Sequence, residues 1–214
     1  MPFTEEVVEI AFRSLTVSGL ATLMASIWSI PLAAALTHSK SKFCRAVLDV
    51  LNAMIGMPTV LIGLLLYLLL SRTGPLGVFN LLYTPLAISF GQAILITPLL
   101  ISLAAEHLGR VRESVSELAL SLGATRVQMA TTVIRETGPQ LVSTVLVTFN
   151  RAIGELGVAL MVGGNIRKFT RVMTTAIALE VEKGEFELAL ALGGILLFIT
   201  ILVTIMVRAL GRVR

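Results

Sequence analysis

The chain has 214 residues, 56% of them hydrophobic and 14% charged, with a mean hydropathy of +0.92 and a formal net charge of +4. That balance excludes an ordinary soluble globular domain and points to a chain that lives in a lipid bilayer. Loop placement accounts for the basic excess better than a nucleic-acid-binding face does, and the single cysteine, Cys44, excludes an intramolecular disulfide and a thiolate metal cluster.

The first element is a lead-in. Glu5, Glu6 and Glu9 stand where a cleaved secretory signal would carry basic residues. Thr4 is placed to cap a helix, and Phe3, Val7, Ile10 and Phe12 fit a helix lying along the membrane surface ahead of the first span. Stretches free of Asp, Glu, Lys and Arg then cover Ser14 to Ser39, Val50 to Ser71, Thr73 to Ala105 and Leu188 to Val207. Each can cross about 30 Å of hydrocarbon at about 1.5 Å per residue. The third stretch opens with Gly74, Pro75, Gly77, Tyr83 and Pro85, which read as an external turn. A further run, Pro139 to Gly163, stays apolar apart from Arg151 and Glu155. The expectation is therefore one all-α membrane domain with five transmembrane helices, at about 14–37, 50–71, 84–105, 139–163 and 188–207.

Span two carries Asn52, Gly56, Pro58, Thr59 and Gly63, a small and polar face with a bend at Pro58. Pro58 reads first as a structural bend; with Thr59 it is also a candidate for a translocation path. Between spans three and four, residues 106–136 keep helical patterning outside the hydrocarbon. Val111, Val115, Leu118 and Leu122 recur at helical spacing, with Glu113 and Glu117 on another face. Gly123 and Ala124 break the pattern, and a second short helix from about 126 to 135 presents Val127, Thr131 and Ile134. A hairpin packed on its own membrane domain and a knob offered to a partner subunit both fit.

In span four each of the charges Arg151 and Glu155 costs roughly 2.5 to 3.5 kcal/mol at a helix centre on insertion scales. Four residues apart, they can neutralise each other on one helix face. They form either a structural ion pair or part of a path or gate, and Gly154 and Gly157 allow close helix approach beside them. The loop at 164–187 opens Gly163-Gly-Asn-Ile, a stop for span four, and continues with a helix from Thr170 to Lys183 ended by Gly184. Its acids Glu180, Glu182, Glu185 and Glu187 balance Arg167, Lys168, Arg171 and Lys183. His38 and His107 have no second ligand at metal spacing, and no nucleophile, base and orienting group come together, so the chain does not read as an enzyme.

Lys40, Lys42 and Arg45, then Arg110, Arg112, Arg126 and Arg135, then Arg208, Arg212 and Arg214 cluster on alternate connections. Basic residues resist translocation, so the expectation is an N-terminus outside and a C-terminus in the cytoplasm.

Glu117-Leu118-Ala119, Gly123 four residues on and Ala124 after it resemble the coupling-loop signature of ABC importer permeases. Leu118 replaces the middle Ala of that family's Glu-Ala-Ala, and Arg135-Glu136 stands where its Leu-Pro falls, with the nearest proline at Pro139. The stretch from Phe149 to Asn165, with Thr170-Arg-Val-Met-Thr-Thr-Ala-Ile-Ala-Leu179, is similar to the molybdate and tungstate permease group, closest to the tungstate type. The resemblance runs from Arg13 to Val207. It implies the type I importer fold in the plasma membrane and uptake of an oxyanion from an external binding protein. It also implies a homodimer surrounded by lipid and two copies of a separate ATPase docked at Glu117, Leu118, Ala119, Gly123 and Ala124. No Gly-x-x-x-x-Gly-Lys-Ser/Thr motif occurs in the chain, so ATP and Mg belong to that partner and this chain is expected to hold no cofactor. An importer of molybdate, sulfate or a polar amino acid, an ion-driven transporter using Glu155 as a proton site, and a non-transporting scaffold remain as alternatives.

Overall fold

The computed structural model describes residues 2–38 and 41–211; the side chains of Pro2, Phe3, Ser116, Glu117, Leu120, Arg126 and Ala130 lie outside that description, as do the topological charges Lys40, Arg212 and Arg214. The described residues form α1 (Pro2–His38), α2 (Lys42–Met54), α3 (Thr59–Leu70), a single 3-10 turn (Gly77–Phe79), α4 (Pro85–Ser121), α5 (Arg126–Ile153), α6 (Gly157–Gly163), α7 (Met173–Lys183) and α8 (Phe186–Gly211), with no strand among them. α1, α4 and α8 are each long and apolar enough to cross a membrane alone. Two bent pairs, α2 with α3 and α5 with α6, bring the number to five if each pair counts as one span.

Four expectations change. The lead-in is not a separate surface helix: α1 is continuous, Val7 and Ile10 are buried, and they pack with Ile153, Met173, Ala176 and Leu192. Nothing between Thr4 and Ser14 interrupts a helix, and burying those side chains outweighs leaving them at a membrane surface. Thr4 therefore lies inside the helix rather than at its cap.

The span expected at 50–71 is not one helix. α2 and α3 meet at 101°, because Pro58 lacks an N–H, disfavours helical geometry at Met57 and follows Gly56. Pro58 becomes the extended residue that opens α3. With 12 residues, α3 is only about 18 Å long, too short to cross alone. The span expected at 139–163 is likewise interrupted: α5 ends at Ile153 and α6 leaves at 60°.

The segment at 106–136 is not a separate hairpin but the joined tips of α4 and α5, which run on unbroken from the spans. α4 closes on Gly123, whose φ of +72° is left-handed, with the Ala124 N–H donating to the Ala119 carbonyl at 2.9 Å. Thr125 then caps α5 through a reciprocal box with Gln128. Arg135, Glu136 and Pro139 all lie within helical α5, so the descending arm is helix throughout.

The helices pack around three apolar clusters. One joins α1, α4 and α5 through Ala21, Ala25, Ala33, Ile96, Leu100, Ala104, Val133 and Ala152. A second joins α3, α4 and α6, and a third seats α7 and α8 against α1 and α5. Polar links cross the α1–α4 seam: Ser18 donates to Gln92 at 3.1 Å, Ser89 to the Val17 carbonyl at 3.0 Å, and the Trp28 indole to Thr97 at 2.8 Å. In a seam surrounded by apolar groups such bonds hold register where burial alone is indifferent to it.

Candidate functional site

The two interruptions lie against each other. A Cβ on Gly157, the first residue of α6, would stand 2.7 Å from Thr59 Oγ1 and 3.0 Å from the Val60 nitrogen. Gly63, one turn along α3, has Met161 and the Gly157 carbonyl as its neighbours at 3.0 and 3.1 Å from the same constructed position. Only residues without a side chain allow α3 and α6 to cross this closely. Pro58, Thr59 and Glu155, all selected as path candidates, thus gather where two helices begin, with Arg151 a turn before Glu155.

Glu155 is 3% exposed and holds the break together. Its Oε2 accepts from Arg151 Nη1 at 2.5 Å, while Oε1 accepts from the N–H groups of Gly157 and Val158 at 2.9 and 3.4 Å. The carboxylate caps the start of α6, whose unpaired N–H groups favour negative charge. Its own carbonyl accepts from the Thr174 hydroxyl at 2.9 Å, tying α7 to the same point. The Arg151 side chain is 39% exposed, so the charge pair has one buried and one open member. Arg151 and Glu155 were paired from spacing alone; the capping role was missed, although Gly154 and Gly157 around Glu155 signalled a chain that leaves helical geometry there. Thr174 was also missed, and no local pattern could have found a contact with a residue 19 positions away.

α7 is fastened on its other side by charge. Arg171, 8% exposed, lies 3.7 Å from Glu6 and 3.6 Å from Glu180, and its carbonyl accepts from Arg13 at 3.0 Å. Arg167 forks onto both Glu6 oxygens at 3.0 and 2.6 Å, and the Ser14 hydroxyl accepts from the Met173 N–H at 2.7 Å. The near-neutral loop read from its sequence is thus a paired network joining α1, the α6–α7 connection and α7.

The α4–α5 tip is the second site. Leu118, Leu122, Val127 and Ile134 expose 64%, 76%, 73% and 55% of their surfaces there. Ala119 and Ala124 are half-buried and Gly123 is exposed. Glu117 lies on α4, with its side chain outside the described residues. Toward the same end, a cavity of about 570 Å³ opens between α4, α5 and α8, lined by His107, Arg135, Glu136, Gln140, Ser143 and Thr144 among others.

Residues 25–213 match the family described as the binding-protein-dependent transport system inner membrane component, and the chain belongs to that family. It is 38% identical to the tungstate uptake system permease protein TupB of Peptoclostridium acidaminophilum, over 97% of this chain and 91% of that one. A probable anion ABC transporter permease protein of Haloferax volcanii is 38% identical over 89% of this chain and 84% of its own. TupB of Campylobacter jejuni is 37% identical over 80% and 72%. A chain of the inward-facing MetNI methionine ABC transporter aligns with a TM-score of 0.75 over 98% of both chains at 15% identity, a likeness of fold alone. The chain is thus a multi-pass membrane permease with the type I ABC importer fold, as its sequence led one to expect.

Proposed function

We propose that this chain is the permease subunit of an ATP-driven importer that takes up tungstate handed over by an external binding protein. The observation that carries the ligand is the 38% identity to a tungstate uptake permease along almost the whole chain. The mechanism rests on the two sites. Two copies of the chain pair about an axis and enclose the path, with the N-terminus outside and the C-terminus in the cytoplasm. Each copy presents Glu117, Leu118, Ala119, Gly123 and Ala124 to one copy of a separate ATPase, which alone binds ATP and Mg. The exposed leucines of that tip supply apolar contact that water would otherwise face, and the stiff α4 and α5 behind it carry the displacement into the bilayer.

At the other end of the lever, Pro58, Thr59, Arg151 and Glu155 line or gate the path at the paired breaks. An interrupted helix can rearrange at its break with little loss of regular hydrogen bonding, which suits a gate. Arg151, held by Glu155 yet partly open, supplies positive charge along an anion route without leaving a buried cation unpaired. The cavity between α4, α5 and α8, which His107, Arg135 and Glu136 help to line, is the inner side of that route.

The test is reconstitution of the permease with its ATPase and binding protein in liposomes, following tungstate uptake and nucleotide hydrolysis. Uptake that requires ATP and is outcompeted poorly by molybdate or sulfate is expected. Uptake driven by a proton gradient without nucleotide would overturn the reading in favour of an ion-driven transporter using Glu155.

A further inference from the structure

Between Val50 and Ala105 a single charged residue occurs, Arg72. It lies just past the C-terminus of α3 and lines a cavity of about 500 Å³ together with Tyr67, Ser71, Asn80 and Tyr83. This cavity sits at the start of α4, a helix of 37 residues, so about 55 Å of helix separates it from the α4–α5 tip. Arg72 is exposed, and among the described residues it has no ion pair or hydrogen-bond partner, whereas the basic residues Arg13, Arg167, Arg171 and Lys183 have carboxylates. No carboxylate lines the cavity.

The walls are held in costly backbone. Asn80 has φ of +48° and Tyr83 of +62°, two of only four left-handed non-glycine residues among those described. For tyrosine that region is unfavourable by roughly 1–2 kcal/mol, and such strain persists where the surroundings over-determine it. Here they do. The Tyr83 N–H donates to the Val162 carbonyl at 2.8 Å, and its ring lies so close to Gly164 that a Cβ there would stand 2.7 Å from it. The Tyr67 and Tyr83 rings stand 6.4 Å apart. The strained turn thus places two phenols in the same cavity lining as the exposed Arg72 and couples that lining to the end of α6.

We propose that this cavity is a binding site for a tetrahedral oxyanion. The guanidinium supplies a planar fork matched to two oxygens of such a group, and the phenol hydroxyls supply neutral donors that do not select against negative charge. One cation with neutral donors holds an anion loosely, which suits a site that must also release it. Two sources share this chemistry: the free anion arriving at the permease, which rests on the import reading above, and a phospholipid phosphate at the bilayer surface. Because Tyr83 bridges to Val162 and Gly164, an occupant would bear on α6, whose start Glu155 caps.

The test uses the permease–ATPase complex in nanodiscs, made from zwitterionic lipid alone or with phosphatidylglycerol, and measures binding of radiolabelled tungstate by equilibrium dialysis. In zwitterionic discs, Arg72→Gln is expected to weaken binding at least about tenfold, the scale of one lost charge-assisted hydrogen bond, and Tyr67→Phe less. Lys168→Gln, an exposed cation outside the cavity, is expected to bind like the parent. If tungstate does not bind but phosphatidylglycerol is retained through Arg72, the source is the lipid phosphate. Arg72→Gln indistinguishable from the parent in both disc types overturns the proposal. Import by the parent complex is scored separately in liposomes, so a failed import reading is distinguishable from a failed cavity.

Discussion

Glu155 performs three electrostatic tasks with one residue: it neutralises Arg151, caps α6 with its carboxylate, and accepts from Thr174 through its carbonyl. A buried carboxylate is tolerable when its lone pairs are satisfied, and here both oxygens are engaged. Removal of one partner from a buried pair costs roughly 3–5 kcal/mol, but the partly open Arg151 is screened by its surroundings, which lowers the figure to the order of 1–2 kcal/mol for Arg151→Gln. Glu155→Gln is expected to cost more, since it weakens the helix cap as well as the pair. In a double-mutant cycle read by thermal unfolding in detergent, Arg151→Gln with Glu155→Gln should be less destabilised than the sum of the two single variants. Additive losses would show that the two side chains do not support each other.

At the scale of elements, α3 and α6 are each too short to cross a bilayer, and each becomes useful by leaning on the other. Gly157 and Gly63 set their separation, while Gly91 of α4 would place a Cβ 2.5 Å from Val158 on α6's other side. α6 is therefore wedged between two helices by missing side chains. Gly157→Ala must push against Thr59 Oγ1 and the Val60 backbone, an overpacking cost of about 1–3 kcal/mol. The variant is expected to lower the unfolding temperature of the purified permease, and Thr59→Ala, which removes the Oγ1 clash, should rescue it only in part because the Val60 backbone stays in place. Gly154→Ala is the matched control, since a Cβ there meets only the Asn150 carbonyl at 3.6 Å. Equal losses in the two variants would argue against the crossing as the cause.

Across the whole molecule, two ends about 55 Å apart along α4 carry opposite kinds of surface. One is the apolar tip at Leu118 and Leu122, the other the charged network of Glu6, Arg13, Arg167, Arg171 and Glu180 with the Arg72 cavity. The proposed orientation puts the tip in the cytoplasm and the network outside. In a Cys44→Ser background, Lys168→Cys is expected to react with a membrane-impermeant maleimide in intact cells, and Thr132→Cys only after permeabilisation. The reverse pattern would invert the topology and with it the direction of the ATPase contact.

The membrane class, the apolar runs, the Gly123–Ala124 corner and the Arg151–Glu155 pairing were all legible in the linear chain, because each depends on hydropathy, spacing or the conformational freedom of a nearby residue. Even the family could be read from the segments around Glu117 and Glu155. The interruption of two spans was only half legible: Pro58 announced a bend, but how far the chain turns depends on what receives the freed end. That receiver is α6, whose crossing with α3 brings together residues about a hundred positions apart. Glu155 as a cap, Thr174 as its partner, the burial of Val7 and Ile10, and the Arg72 cavity were likewise decided by tertiary contact, since no local preference encodes which distant backbone a side chain will meet.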